Sequence, residues 1–362
     1  MRGQGLAVSS VLRHLGPTLG LPDDAEVITG FGHYASVLKV SHDVALALST
    51  DGVGSKTLIA SALDRYDTIG FDCVAMNVND VLCVGASPIA MVDYLGVHSL
   101  DPRRAEAVLR GLAAAASEAG IAIPGGEIAQ LPEVIGPGDD AFDLVGTCVG
   151  IVHPDRLMLG ADIEPGDAII GIASSGIHSN GLTLARRVLL AEEGGGLDAH
   201  VDALGRPVGE ELLEPTLIYT SAVRALRGLP ISGLAHITSD GFVNLCRLEA
   251  PVGYTIETLP PPPPIFRLIQ EIGGIEDAEM FRVFNMGVGF VVISRPGGAS
   301  DALDRLGRAG HEAALMGVVS DAAGRVVIEP VGLVGSLSGS ESRFSSVEAL
   351  RPVVKGPVAR PH

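Results

Sequence analysis

Val44-Ala45-Leu46-Ala47-Leu48-Ser49-Thr50-Asp51-Gly52-Val53-Gly54-Ser55-Lys56 is the stretch on which the fold turns. Its apolar start, Val44–Ser49, reads as a buried strand. The strand gives way to a turn that carries one acid, two glycines and one lysine. Glycines let backbone amides approach an anion closely, and lysine adds a point charge for phosphate. Asp51 can hold a divalent ion that neutralises the same phosphates. The combination points to nucleotide or phosphate chemistry. It is not a Walker loop, because no Gly-Lys pair follows a glycine at the required spacing.

Working outward, Pro88–Val97 and Asp143–Val152 also read as strands, with a buried helix over Phe71–Val84 between them. Asp101 and Pro102 open a second helix as N-cap and first-turn proline, and Gly120 closes it. The alternation of long apolar strands with helices predicts a layered α/β or α+β fold. A boundary is expected near residues 155 to 167, where Gly160–Gly166 is turn-rich and Asp167–Ala173 restarts with a strand. The division is therefore drawn at 1–162, 163–345 and a tail over 346–362. Gly194-Gly195-Gly196 reads as a helix-end loop and Pro260–Pro264 as a stiff connector. The Ser- and Gly-rich stretch from Gly335 reads as a loose tail.

The 362 residues carry a net charge of −18 and no basic block, which disfavours nucleic acid and anionic membranes as partners. No run of 18 apolar residues suggests a membrane span, and Met1–Gly5 leads into no signal-peptide core. Cys73, Cys83, Cys148 and Cys246 sit in apolar surroundings without a C-x-x-C pair, so reduced thiols in a cytoplasm are expected. The absence of Trp argues against base-stacking platforms.

Three further segments carry chemistry. The Phe71–Val84 helix is apolar except for Asp72, Asn77, Asn79 and Asp80. Such groups need partners when buried. Two readings stay open: a hydrogen-bonded core network, or oxygen ligands for Mg²⁺. Gly125-Gly126-Glu127 suggests close backbone approach to a ligand, although the sequence is common in loops. Ser174-Ser175-Gly176-Ile177-His178-Ser179-Asn180-Gly181 lies between a strand and the helical Leu182–Leu190, a setting suited to an anion. His178 within it is either a proton donor or acceptor or a surface loop residue. Asn285-Met286-Gly287-Val288-Gly289 reads as a tight turn into a buried strand, and His236–Gly241 as a cleft lining or a turn.

In this order the segments resemble the aminoimidazole ribonucleotide synthetase family, the phosphoribosylformylglycinamidine cyclo-ligases. The likeness also rests on Gly30-Phe31-Gly32, Asp67-Thr68-Ile69-Gly70, Ala86-Ser87-Pro88 and His236-Ile237-Thr238, and it covers roughly residues 28 to 330. The resemblance implies an ATP- and Mg²⁺-dependent ligase of purine biosynthesis that closes an imidazole ring. It implies an N-terminal α/β domain whose sheet pairs with its copy in a homodimer barrel, followed by an α+β domain. It implies Asp51, Lys56 and His178 as catalytic residues and Asp51 and Asp80 as metal ligands. Gly52, Val53, Gly54, Asn79, Asp80 and Glu127 would bind the nucleotide. Ser175, Ser179, Asn180 and Gly181 would bind a small ribonucleotide substrate. Three departures stand out. The Lys-Asp-Ala-Gly-Val-Asp opening of the family is missing from Met1–Gly20. Ser239-Asp240-Gly241 replaces a Gly-Gly-Gly. His33-Tyr34 replaces a small-residue turn. Two alternatives stay open: a paralogue that activates another amide, or a non-catalytic nucleotide-binding subunit.

Overall fold

The computed structural model describes residues 10–20, 23–338 and 341–346. Its first sheet contains β1 (Glu26–Val27), β2 (Ser36–Lys39), β3 (Ala45–Gly52), β4 (Ser87–Val97), β5 (Ala122–Gln130) and β6 (Phe142–Val152). The strand order is β1-β2-β3-β6-β4-β5. Only β4 and β5 run parallel, and the 18-residue helix Pro102–Ala119 makes the crossover between them. Asp101 caps that helix by accepting from the Arg103 amide at 2.8 Å, and Gly120 ends it at φ 73°. One register row, Asp51–Gly146–Asp93–Gly126, crosses four strands from β3 to β5.

The sheet is two-faced. Ala45, Ala47, Leu144 and Cys148 are buried beneath the helices Ile69–Cys83 and Pro102–Ala119. On the opposite face Val92, Tyr94, Ile128 and Ile151 are exposed. The two helices meet backbone to backbone. A Cβ on Gly70 would lie 2.1 Å from the Leu112 nitrogen, and one on Gly111 would lie 2.2 Å from the Asp67 carbonyl oxygen. Only glycine at both positions allows that approach.

β7 (Ala168–Ala173) opens the second half, and β8 (His200–Val201) with β9 (Arg206–Pro207) forms a small ribbon. The larger sheet adds β10 (Ile231–His236), β11 (Gly253–Ile256), β12 (Val288–Ser294), β13 (Ala313–Ser320), β14 (Arg325–Ile328), β15 (Leu333–Ser338) and β16 (Glu341–Ser346). Its order is β10-β12-β7-β13-β11-β14-β15-β16, and every residue of β12 is buried. The stretch from Gly335, expected to be loose, is instead part of the β15–β16 hairpin. Gly335 faces Phe344 across it, and a Cβ there would meet the ring at 2.6 Å. Cross-strand packing of an aromatic over a glycine gives this polar stretch its strand. Residues 347–362, the rest of the expected tail, lie outside the described residues.

The helix Ile69–Cys83 joins the halves. It rests on β3 and β6 and is packed by β10 on its other side, and 13 of its 15 residues are buried. A helix enclosed on both sides must be apolar nearly all round, which explains its sequence.

Candidate active-site cleft

β3 ends at Gly52, and the chain turns through Gly54 at φ 69° into the helix Thr57–Leu63. The Ser174–Gly181 loop of the second half lies against this turn. Ser179 Oγ donates to the Val53 carbonyl at 2.8 Å, and the Ser55 and Thr183 hydroxyls are 3.2 Å apart. Asn180 accepts from Ser239 Oγ at 3.0 Å, which draws in the turn after β10. Gly181 has φ 75°, and a Cβ there would strike the Phe284 ring at 2.3 Å. Asn285 fixes the loop from behind: its oxygen accepts from Ser174 Oγ at 3.1 Å and its amide donates to the Gly176 carbonyl at 3.0 Å. Two glycine-bearing segments more than a hundred residues apart thus form facing walls.

Two carboxylates belong to this cleft. Asp51 accepts from the Gly52 amide at 2.7 Å and is half-buried. Burial raises its pKa above the usual carboxylate range; the Gly52 hydrogen bond opposes the shift and the Asp80 charge adds to it. Asp80 accepts from His236 Nδ1 at 2.9 Å; its side chain is 17% exposed, while His236 is fully buried. The Nε2 of His236 has no hydrogen-bond partner among the described residues. His236 is the residue that sequence reasoning left between cleft lining and turn. A histidine on the last residue of a buried strand, just before a polar turn, was the available signal.

Several expected site residues lie elsewhere. Lys56 is fully buried, and its ammonium donates to Asp72 Oδ1 at 2.8 Å and to the Glu214 carbonyl at 2.5 Å. It is therefore not a phosphate contact: its charge is spent on holding the halves together. Asn79 is likewise withdrawn from the nucleotide role. Its amide donates to the Leu217 carbonyl at 2.9 Å and its oxygen accepts from the Tyr219 amide at 3.0 Å. Asn77 donates to the carbonyls of Asp51 and Cys73, which anchors the end of β3. Of the four polar residues in this helix, three form the core network and only Asp80 reaches the cleft.

His178 is 1% exposed, so neither the surface-loop reading nor direct proton transfer into the cleft fits this arrangement. It sits at φ 58°, its Nε2 accepts from the Ser175 amide at 3.3 Å, and its ring packs near Tyr219. Burial lowers its pKa well below the ordinary histidine value, so the ring is neutral and braces the loop from inside. Ser175 spends its hydroxyl on the Pro215 carbonyl at 2.5 Å. Glu127 is exposed on β5 and sits in strand rather than loop. Asp93 lies so close to Gly126 that a Cβ there would be 2.5 Å from its carboxylate, and this contact explains the glycine. Three strand spacings separate Glu127 from Asp51, about 14 Å, so one chain does not bring them together. Among the described residues no cluster of three or more His, Cys, Asp or Glu side chains is set to hold a metal.

Paired two-domain architecture and facing loops define an AIR-synthase-type protein, and comparisons agree. The family described as AIR synthase related protein, N-terminal domain, matches residues 32–152, and its C-terminal domain matches residues 164–329. The chain belongs to the AIR synthetase family. It is 48% identical over 326 residues to the phosphoribosylformylglycinamidine cyclo-ligase of Methanothermobacter thermautotrophicus, covering 90% of this chain and 93% of that one. The enzyme of the same name from Thermococcus kodakarensis is 50% identical over 278 residues, 76% of this chain and 80% of that one. Two solved structures share the fold. Thiamine-monophosphate kinase from Stenotrophomonas maltophilia K279a has a TM-score of 0.60 at 21% identity, covering 88% of this chain and 94% of that one. Hydrogenase maturation protein HypE in complex with ATP has a TM-score of 0.57 at 22% identity, covering 92% and 91%.

Proposed function

We propose that this chain is the ATP-dependent cyclo-ligase that converts formylglycinamidine ribonucleotide to aminoimidazole ribonucleotide in purine biosynthesis. The observation that carries the reading is the 48% identity to a cyclo-ligase over 93% of that enzyme's length. It favours this reading over a paralogue acting on another amide and over a non-catalytic subunit. The test is incubation of the full chain with formylglycinamidine ribonucleotide and MgATP. The expected result is ADP and aminoimidazole product in equal amounts; ATP binding with neither product would overturn it.

Amide oxygen is a poor leaving group, so its phosphorylation by ATP prepares the ring closure. The amidine nitrogen then forms the new bond to the formyl carbon while the carbon–oxygen bond breaks and phosphate leaves. In this reading Gly52, Val53 and Gly54 shape the loop beside the phosphates. Ser179, Asn180 and Gly181 line the facing wall for the ribonucleotide. His178 and Ser175 hold that wall in shape. Asp51 and Asp80 fit Mg²⁺ because both are oxygen donors and their mutual repulsion calls for a cation. When bound, the ion supplies neutralisation of phosphate charge. Two carboxylates suffice, since Mg²⁺ usually completes its shell with substrate phosphates and water.

The reading includes a homodimer. The exposed face bearing Val92, Tyr94, Ile128 and Ile151 is the kind of apolar surface a second sheet covers. Glu127 on the edge strand then meets a nucleotide across that interface rather than within its own chain. The division we propose, 1–162 for nucleotide binding and dimerisation and 163–345 for the second half, follows the gap between the two sheets. Among the described residues no helix is long and apolar enough to cross a membrane. A cytoplasmic location fits the three buried thiols Cys73, Cys83 and Cys148, none of which is in a disulfide.

A further inference from the structure

A second cleft, of ≈ 200 Å³, opens between the halves on the far side of the Ile69–Cys83 helix. Ser87, which lines it, pairs with Ile151, five residues along β6 from the Gly146 that pairs with Asp51. That register puts the cleft about 16 Å along the sheet from the Asp51 end. Its charge is opposite to that of the chain. Arg156, Arg224 and Arg227 line it, with no Asp or Glu among the described residues, in a protein of net charge −18. Arg227 donates to Ser87 Oγ at 3.3 Å, and none of the three arginines has a carboxylate partner among the described residues. Arg206, Arg282 and Arg295, by contrast, are each paired. A neighbouring hollow shares Ser87, Arg156 and Arg227; its one acid, Asp43, already faces His42 and His153 at 2.7 and 3.4 Å.

The two long helices of the first half end beside the cleft, at Ala119 and Cys83, while the carbonyls at the end of the short helix Thr220–Ala225 are met by Arg305. Each long-helix end carries about half a negative charge, so together they offset about one guanidinium. A surplus near two positive charges remains, which matches a phosphate monoester dianion. Apolar side chains complete the lining, among them Pro88, Met158, Leu226 and Ile231. Buried in the same lining is Thr220, whose hydroxyl has no hydrogen-bond partner among the described residues.

We infer that this cleft binds a small phosphate monoester with a compact apolar or aromatic body, at a site separate from the Asp51–Asp80 cleft. The arginines take the phosphate and the Pro88, Met158 and Leu226 side chains take the body. Phenyl phosphate is a suitable probe, since it has ring and dianion but no nucleobase to draw it to an ATP site. Calorimetric titration of the full chain is expected to give saturable binding of phenyl phosphate, weaker binding of inorganic phosphate and none of phenol. The Arg224→Gln/Arg227→Gln variant should weaken phenyl phosphate binding at least tenfold, the scale of lost charge-assisted hydrogen bonds. Arg224→Lys/Arg227→Lys should retain more affinity, and Asp80→Asn should leave it unchanged. Phenol binding as well as phenyl phosphate, equal losses in the glutamine and lysine variants, or loss of binding in Asp80→Asn would each overturn the inference.

Discussion

Asp72 and Asp80 sit eight residues apart on one helix, about 12 Å along its axis, and serve opposite ends. Asp72 is fully buried, paired with Lys56, and accepts from both the amide and the hydroxyl of Thr216 at 2.9 and 2.6 Å. Its partners are an ammonium from the first half and two neutral donors from the second, so the group welds the structure. Asp80 keeps 17% of its side chain open, and it is held by a buried imidazole rather than a fixed cation. Its charge adds to the burial that raises the pKa of the half-buried Asp51. Exposure and the charge of the partner, rather than residue type or helix position, separate the welding acid from the one proposed for the metal.

The largest effect should come from breaking the weld. Lys56→Ala strands the Asp72 charge in the interior, and loss of one member of a buried pair costs about 3–5 kcal/mol. Urea unfolding would read this as a lowered midpoint. If the variant keeps its stability but loses ATP affinity, Lys56 faces the cleft after all. Next in size is the cleft itself. Asp51→Asn should lower kcat/KM at least about tenfold while leaving the unfolding free energy within about 0.5 kcal/mol. Near-normal turnover in Asp51→Asn would remove that carboxylate from the proposed metal pair.

The same contrast explains what was legible in the sequence. Strands β3, β4 and β6 and the helices Ile69–Cys83 and Pro102–Ala119 were readable because apolar runs and the Asp101-Pro102 and Gly120 boundary signals act locally. The two facing loops were recognisable as ligand-type segments because glycine and hydroxyl residues cluster there. What remained hidden was non-local. Whether Lys56 and Asn79 point into a cleft or into the interior depends on the second half folding over them, through Glu214 and Leu217, and His178 is buried against Gly289 of its own half only once distant strands have paired. A lysine after Gly-Val-Gly-Ser has the same local sequence in either case. The β15–β16 hairpin was missed for the same reason, since Phe344 closes over Gly335 only once the strands are paired.

His178 offers a middle-sized test of the interior side of the comparison. Its folded pKa lies well below 6.5 because burial disfavours the charged ring. Below pH 6.5 the unfolded chain binds a proton that the folded chain refuses, so stability is retained above that pH and falls beneath it. The slope from this one group is up to about 1.4 kcal/mol per pH unit. His178→Asn keeps a residue tolerant of φ 58° and removes the titration, so its stability should fall less steeply than that of the parent between pH 6.5 and 5. Equal slopes in denaturant unfolding would mean that His178 takes up its proton in the folded protein and faces solvent.

The smallest expected effect falls where the two roles meet. Ser179 reaches from the second half to the Val53 carbonyl at 2.8 Å, so its hydrogen bond could count as weld or as cleft wall. Both partners are uncharged and Ser179 is only half-buried, so Ser179→Ala should cost about 1 kcal/mol at most in unfolding. If the bond instead sets the spacing of the facing loops, its loss should appear mainly as a higher KM for ATP. About 1 kcal/mol corresponds to a roughly fivefold rise, with kcat little changed. An unchanged KM with a lowered unfolding midpoint would move Ser179 to the side of Asp72. A raised KM at constant stability would put it with Asp80, and the boundary between weld and cleft would then run through the Ser179–Val53 contact itself.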